Sequence, residues 1–184
     1  MEKAETHRLS LAVQNAEVSL DRDGFLRDLI GELSGALQDI VGLDEAAGLI
    51  SIVGQSMGER IDQKYRRALN VERLDRGQVQ DVLIDLKRRI QGTFHVVEEA
   101  EDRIVFANTR CPFEDRVKDR PSLCMMTSNV FGTIASENLG YARVRLARTI
   151  ARGDQGCRVV LFLRPEEGSV DEDTREYYGS HSCT

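Results

Sequence analysis

Apolar positions recur at helical spacing through three stretches of the first half of the chain, then switch to the two-residue period of strands. From Asp23 to Val41 the residues Phe25, Leu26, Leu29, Ile30, Leu33, Leu37, Ile40 and Val41 return every three or four positions, which predicts a helix. Asp21 or Asp23 is placed to cap its start, and Gly42 to stop it. A second helix is expected from Asp44, as N-cap, to about Leu69, with Ala46, Leu49, Ile50, Val53, Met57 and Ile61 as its apolar positions. Gly48, Gly54 and Gly58 lower its helix propensity, so close packing against another helix is the expected reason for them. The short connection makes these two helices a hairpin, a form that also suits a homodimer interface. A third helix is expected from Asp75 to Ile90, with a stripe of Val79, Val82, Leu83, Leu86 and Ile90, and with Gly92 ending it.

From residue 93 the segments Thr93 to Glu98 and Arg103 to Asn108 read as strands, joined by a turn over Glu99 to Asp102. Residues 109–121 read as a loop. Pro121 suits the first turn of a helix running to about Leu139, with Gly140 as its C-cap. Tyr141 to Ile150 and Cys157 to Arg164 then form a second hairpin around the turn Arg152 to Gly156. Ala142, Val144 and Leu146 share one face of the first strand, and Val159, Leu161 and Leu163 one face of the second. Near the start, Leu9, Leu11 and Val13 share a parity, which fits a short strand or an ordered arm. The expected fold is α+β, in the order ααα-ββ-α-ββ, with N-terminal helices packed on an antiparallel sheet of about four strands. We read residues 1–22 as an arm, 23–164 as one domain and 165–184 as an acidic, flexible tail.

Charge and composition narrow the function classes. The chain of 184 residues carries a formal net charge of −6, which argues against direct binding of duplex DNA. Aromatic residues are 5% and Trp is absent, so platforms for base stacking are poorly supported. The basic triplets Lys64, Arg66, Arg67 and Lys87, Arg88, Arg89 fall at the C-terminal ends of expected helices, where solvated cations favour the helix dipole. No apolar run approaches membrane-spanning length, and Met1 to Ser10 lacks the apolar core of a secretory signal, so the cytoplasm is the expected compartment. Gly-rich phosphate loops, nucleophile elbows and the His-Glu-x-x-His zinc motif are all missing.

Candidate chemistry rests on cysteines. Four thiols in a cytosolic chain are read as buried hydrophobes, reactive groups or metal ligands rather than disulfides. Cys111 opens the loop after the second strand, Cys124 lies in the first turn of the next helix, and Cys157 starts the last strand. All three sit at element junctions, which can converge at one end of a sheet. The helix N-terminus is expected to lower the thiol pKa of Cys124. Three thiolates suit an iron–sulfur cluster, or a zinc ion with one further ligand. Ordinary buried thiols are the competing reading. Thr127, Ser128, Asn129 and Phe131 on the following helix are candidates to line a pocket. His95 reads as a strand residue, His7 as isolated, and His181 and Cys183 as part of the tail. Arg143, Arg145 and Arg148 are candidates to bind an anion, but Arg143 and Arg145 take the parity opposite the apolar one, and a solvated outer face explains them more simply.

The stretch CPFEDRVKDRPSLCMMTSNVFGTIASENLGYARVRLARTIARGDQGCRVVLFL, residues 111–163, resembles the methanogen output domain of prokaryotic signalling proteins, and more distantly the vinyl-reductase-like sensory domains. The Cys-Pro-Phe and Leu-Cys arrangement around Cys111 and Cys124 is also similar to the sensor region of the repressor of iron–sulfur assembly genes. That resemblance implies an iron–sulfur cluster on Cys111, Cys124 and Cys157. No cysteine lies between Cys124 and Cys157 and no winged-helix segment precedes them, so direct gene repression is not implied. The leading expectation is a sensor or output module that binds an iron–sulfur or metal cofactor through the three cysteines, forms a homodimer through its N-terminal helices and works with a signalling partner. Two alternatives stand beside it: a module for a small organic effector, with the cysteines on a structural zinc, and a cysteine-dependent enzyme.

Overall fold

A computed structural model describes residues 15–165 and 174–180. The helices expected from periodicity are present as α1 (Arg22–Val41), α2 (Leu43–Leu69), α3 (Arg76–Arg89) and α4 (Cys124–Leu139). Asp21 caps α1 by accepting from the Gly24 N–H at 2.8 Å. Asp75 and Gln78 close a reciprocal capping box on α3. The cap of α2 is Gly42, not Asp44: Gly42 takes φ 88° and serves both as the last stop of α1 and the first cap of α2, which leaves Asp44 in the first turn.

The strands are β1 (His95–Glu99), β2 (Arg103–Asn108), β3 (Tyr141–Arg148), β4 (Cys157–Phe162) and β5 (Thr174–Tyr178). They form one sheet in the order β1-β2-β4-β3-β5, and every neighbouring pair is antiparallel. The sheet thus has five strands rather than about four. The extra one lies in the polar stretch read as a flexible tail. Thr174–Tyr178 pairs with β3, and the Tyr141 hydroxyl donates to Glu176 at 2.7 Å while its ring meets Tyr178 edge-on. The arm residues Leu9, Leu11 and Val13 lie outside the described residues.

The core lies between the sheet and the helices. Ile104, Phe106, Ala142, Val144, Leu146, Val159 and Leu161 line the inner sheet face, and α3 supplies Val79, Val82, Leu83 and Leu86. Helix α4 runs through the middle of the molecule, buried from Ser128 to Ser136 between the sheet and α2. A Cβ at Gly54 would come within 2.8 Å of Asn129 Cβ, and one at Gly58 within 2.8 Å of Thr133 Cβ. These glycines therefore let α2 approach α4 at backbone distance, whereas Gly48 faces open space. On the outer sheet face Arg143 is not solvated: it is 6% exposed, with its guanidinium 4.3 Å from the Phe162 ring centroid.

Helix α1 departs most from expectation. Its periodicity marks a helix correctly, but its buried residues are Gly31, Ser34 and Gly35. Its large apolar side chains point outward: Leu33 is 61% and Ile40 81% exposed. The small face rests on the segment 114–122, where the Ser34 hydroxyl meets that of Ser122 at 3.3 Å and Arg116 pairs with Asp28.

Candidate functional site

The loop after β2 is held at its root by a polar cradle. Buried Asn108 accepts from the Thr93 hydroxyl at 2.9 Å and from the Arg110 N–H at 2.7 Å, and Thr93 also accepts from that N–H at 3.0 Å. The next residue is Cys111, whose carbonyl accepts from the Glu114 N–H at 2.9 Å to close a turn. Two short 3-10 turns follow, Glu114–Val117 and Pro121–Leu123, the second leading straight into α4. The Asp119 N–H donates to the Ala151 carbonyl at 3.1 Å and ties this loop to the β3–β4 connection. Gly156 packs against the Asn108 carbonyl, just before β4 begins at Cys157. The sequence thus brings three distant segments to the same end of the sheet.

A small cavity of about 30 Å³ lies there, room for about one water molecule. Cys111, Cys124 and Cys157 all line it, with Phe94, Phe113, Leu146 and Val159 as apolar walls and Asn108, Thr127 and Thr149 as polar ones. The Thr149 hydroxyl is buried against the Cys124 thiol and finds no other partner among the described residues. Of the other pocket candidates only Thr127 reaches the cavity. Ser128 bonds to the Tyr177 hydroxyl at 2.9 Å, Asn129 donates to Ser51 at 2.9 Å, and Phe131 is packed edge-on between Phe94 and Phe106 in the core. His95 is exposed on β1, while His7, His181 and Cys183 lie outside the described residues.

Lys87 is the residue that sequence reasoning missed. It reads as one cation of a solvated helix end, yet it is 5% exposed. Its ammonium donates to Thr127 Oγ1 at 2.7 Å and sits 5.1 Å and 5.3 Å from the ring centroids of Phe94 and Phe131. No carboxylate pairs with it among the described residues. Burial pushes its pKa down to about 8, opposed only by Cys111, Cys157 and Cys124. A signal was present: Val79, Leu83 and Lys87 follow one another at four-residue spacing, which puts the lysine on the buried stripe.

The thiols respond to the same dry environment. Burial pushes the Cys111 pKa up, partly offset by the Phe113 N–H and by Lys87. Cys124 is pushed up to about 12, first by burial, then by Cys157 and Cys111. The expected lowering at the helix N-terminus does not occur. The 3-10 turn already uses the Cys124 N–H, which donates to the Pro121 and Ser122 carbonyls, and desolvation dominates the thiol. At rest Cys111 and Cys124 are protonated. Among the described residues no group of three or more His, Cys, Asp or Glu side chains is drawn closely enough together to hold a metal ion, and no helix is long and apolar enough to cross a membrane.

No curated protein matches the chain. Among solved structures it is similar to a trafficking protein particle complex subunit 3 from Naegleria fowleri covalently bound to palmitic acid, with 14% identity and a TM-score of 0.60, covering 78% of this chain and 95% of that one. It is also similar to the phenol-responsive sensory domain of the transcription activator PoxR with phenol, with 17% identity and a TM-score of 0.60, covering 84% of this chain and 83% of that one. At these identities the likeness is one of fold. The family model that matches is methanogen output domain 1, over residues 29–162, from within α1 to the end of β4 and with all three cysteines; the chain belongs to the methanogen output domain 1 family, as a signalling sensor or output domain.

Proposed function

We propose that this domain senses through the cavity of Cys111, Cys124 and Cys157, and that the three thiols hold an iron–sulfur cluster or a metal ion there with Lys87 as the counter-charge. The observation that carries this reading is a buried ammonium whose only titratable neighbours of potentially opposite charge, among the described residues, are three converging thiols. Three thiolates on a doubly charged metal ion or cluster core leave one net negative charge, which is costly in a dry site unless a cation sits beside it. Lys87 supplies that cation, and the protonated thiols release their protons on binding. Because the resting thiols are not in ligating positions, binding draws the 109–123 loop inward. That loop is also where the small face of α1 rests, through Ser34–Ser122 and Asp28–Arg116. Loading and loss of the cofactor would then shift α1 between two positions, as a switch requires.

Metal and acid-labile sulfide analysis, with a visible spectrum, on protein purified without oxygen tests the reading. The expected result is coloured protein with iron and sulfide that Cys124→Ser loses. Metal-free protein, or a Cys124→Ser variant with its full metal content, would overturn it.

The second reading is an organic effector in an apolar pocket between the helices and the sheet, with the cysteines on a structural zinc. The likeness to a phenol-responsive domain favours it. It predicts colourless protein with stoichiometric zinc and a melting temperature that rises with a small aromatic ligand. A cysteine nucleophile is disfavoured, because burial holds Cys111 and Cys124 in the thiol form.

A further inference from the structure

Away from the cavity, the outer face of α1 and α2 is lined by exposed apolar side chains. A surface helix normally turns its apolar stripe inward. Here α1 does the reverse, burying Gly31, Ser34 and Gly35 and exposing leucines and isoleucines. Leu26, Ile30, Leu33 and Ile40 keep the four-three repeat of a helix seam, while Leu37, which completes the spacing, is half-buried against the cluster of Ile50, Val117, Leu123 and Ala151. Leu26 is 47%, Ile30 39%, Leu33 61% and Ile40 81% exposed, and α2 adds Ile52 at 68% and Val53 at 51%. Residues 25 to 53 contain eleven such exposed large apolar residues, equal to between five and six fully exposed ones. At ~160 Å² each that is on the order of 900 Å². A typical monomer's largest apolar patch is about 300–600 Å², and a stable interface needs about 800 Å² per partner.

We infer that two copies of this chain pair through the α1–α2 face in solution. The occupant is a second copy because a four-three seam is complementary to itself and gives a closed two-fold contact without any other partner. Charge does not select a different partner. Arg27 pairs with Asp23 and Glu114, and Asp28 with Arg116, within the chain itself. The other exposed charges of α1, Arg22, Glu32 and Asp39, carry both signs and form no strongly charged patch. The contact does not depend on a cofactor, although it places the cysteine loop one helix away from the partner copy.

The test is light scattering on the full chain after size exclusion, in the metal-free state, with Leu33→Glu/Ile40→Glu beside it. Both positions are exposed in the single chain, so the variant should keep its circular dichroism spectrum. The wild type is expected at twice the chain mass of 20.7 kDa. The variant is expected at that mass itself, with self-association weakened roughly a hundredfold or more by charges in a desolvated seam. Val97→Glu, on an exposed apolar position of β1, should leave the dimer intact. A monomeric wild type would overturn the inference, including one that self-associates only after residues 1–14 are removed. So would a dimer that survives both glutamates.

Discussion

Replacing Lys87 by methionine keeps most of the side-chain volume and removes the ammonium. With its pKa at about 8 instead of 10.5, the charged lysine is penalised by about 3 kcal/mol, at about 1.4 kcal/mol per pKa unit. The variant also loses the bond to Thr127 and the two ring contacts, worth about 1–2 kcal/mol together. Metal-free Lys87→Met should therefore be more stable than wild type by about 1–2 kcal/mol at pH 7. Below about pH 8 the lysine is charged in both folded and unfolded chains and the penalty is complete. Between about 8 and 10.5 the unfolded chain holds the proton that the folded chain has released, so wild-type stability rises with pH and the gap closes. Thiol ionisation acts in the opposite direction over the same range, because Cys111 and Cys124 are raised in the folded chain. It acts on both proteins and largely cancels in the difference. Urea unfolding with reductant and chelator, at neutral pH and near pH 10, reads this directly. A variant less stable than wild type at neutral pH, or a gap that does not change with pH, would refute the reasoning.

Other outcomes follow from the same geometry. Lys87→Met should weaken cofactor binding roughly 10–100-fold, as loss of an outer-shell partner does, measured by competition with a chelator. Gly58→Ala should destabilise by about 1–3 kcal/mol because its Cβ meets Thr133. Gly48→Ala, in open space, should stabilise by about 0.5–1 kcal/mol; thermal melts of the two variants compare them. Asn108→Ala removes the cradle before Cys111 and should cost about 1–3 kcal/mol, with faster alkylation of Cys111 as the local readout. In metal-free native protein at neutral pH, Cys124 should alkylate far more slowly than in urea, because its pKa is about 12.

Much of the fold was legible because local chemistry and packing agree. Arg103–Asn108 and the capping by Asp21 follow from alternation and from an oxygen-bearing side chain before an apolar run. Gly54 and Gly58 announced a close helix crossing that exists. β5 was not legible because an edge strand of Thr, Arg, Glu and Tyr carries little apolar alternation; its pairing comes from β3. The direction of α1 was not legible either, since periodicity identifies a stripe without saying what covers it. At the site, junction positions pointed to three cysteines that do line one cavity. Lys87 was hidden by the charged residues that follow it. The Cys124 pKa came out opposite to expectation because burial outweighs a helix terminus whose first donors are already used.

The central claim is that Cys111, Cys124 and Cys157 act as one ligand set. It is tested most directly by mass-spectrometric alkylation footprinting of protein purified without oxygen, before and after removal of its metal. If the three thiols hold a cofactor, all three are protected together, and the labelling of all three rises together when iron or zinc is chelated, Cys124 only to the slow rate of a buried thiol. Thiols whose labelling is independent of one another, or unchanged by chelation, would contradict it.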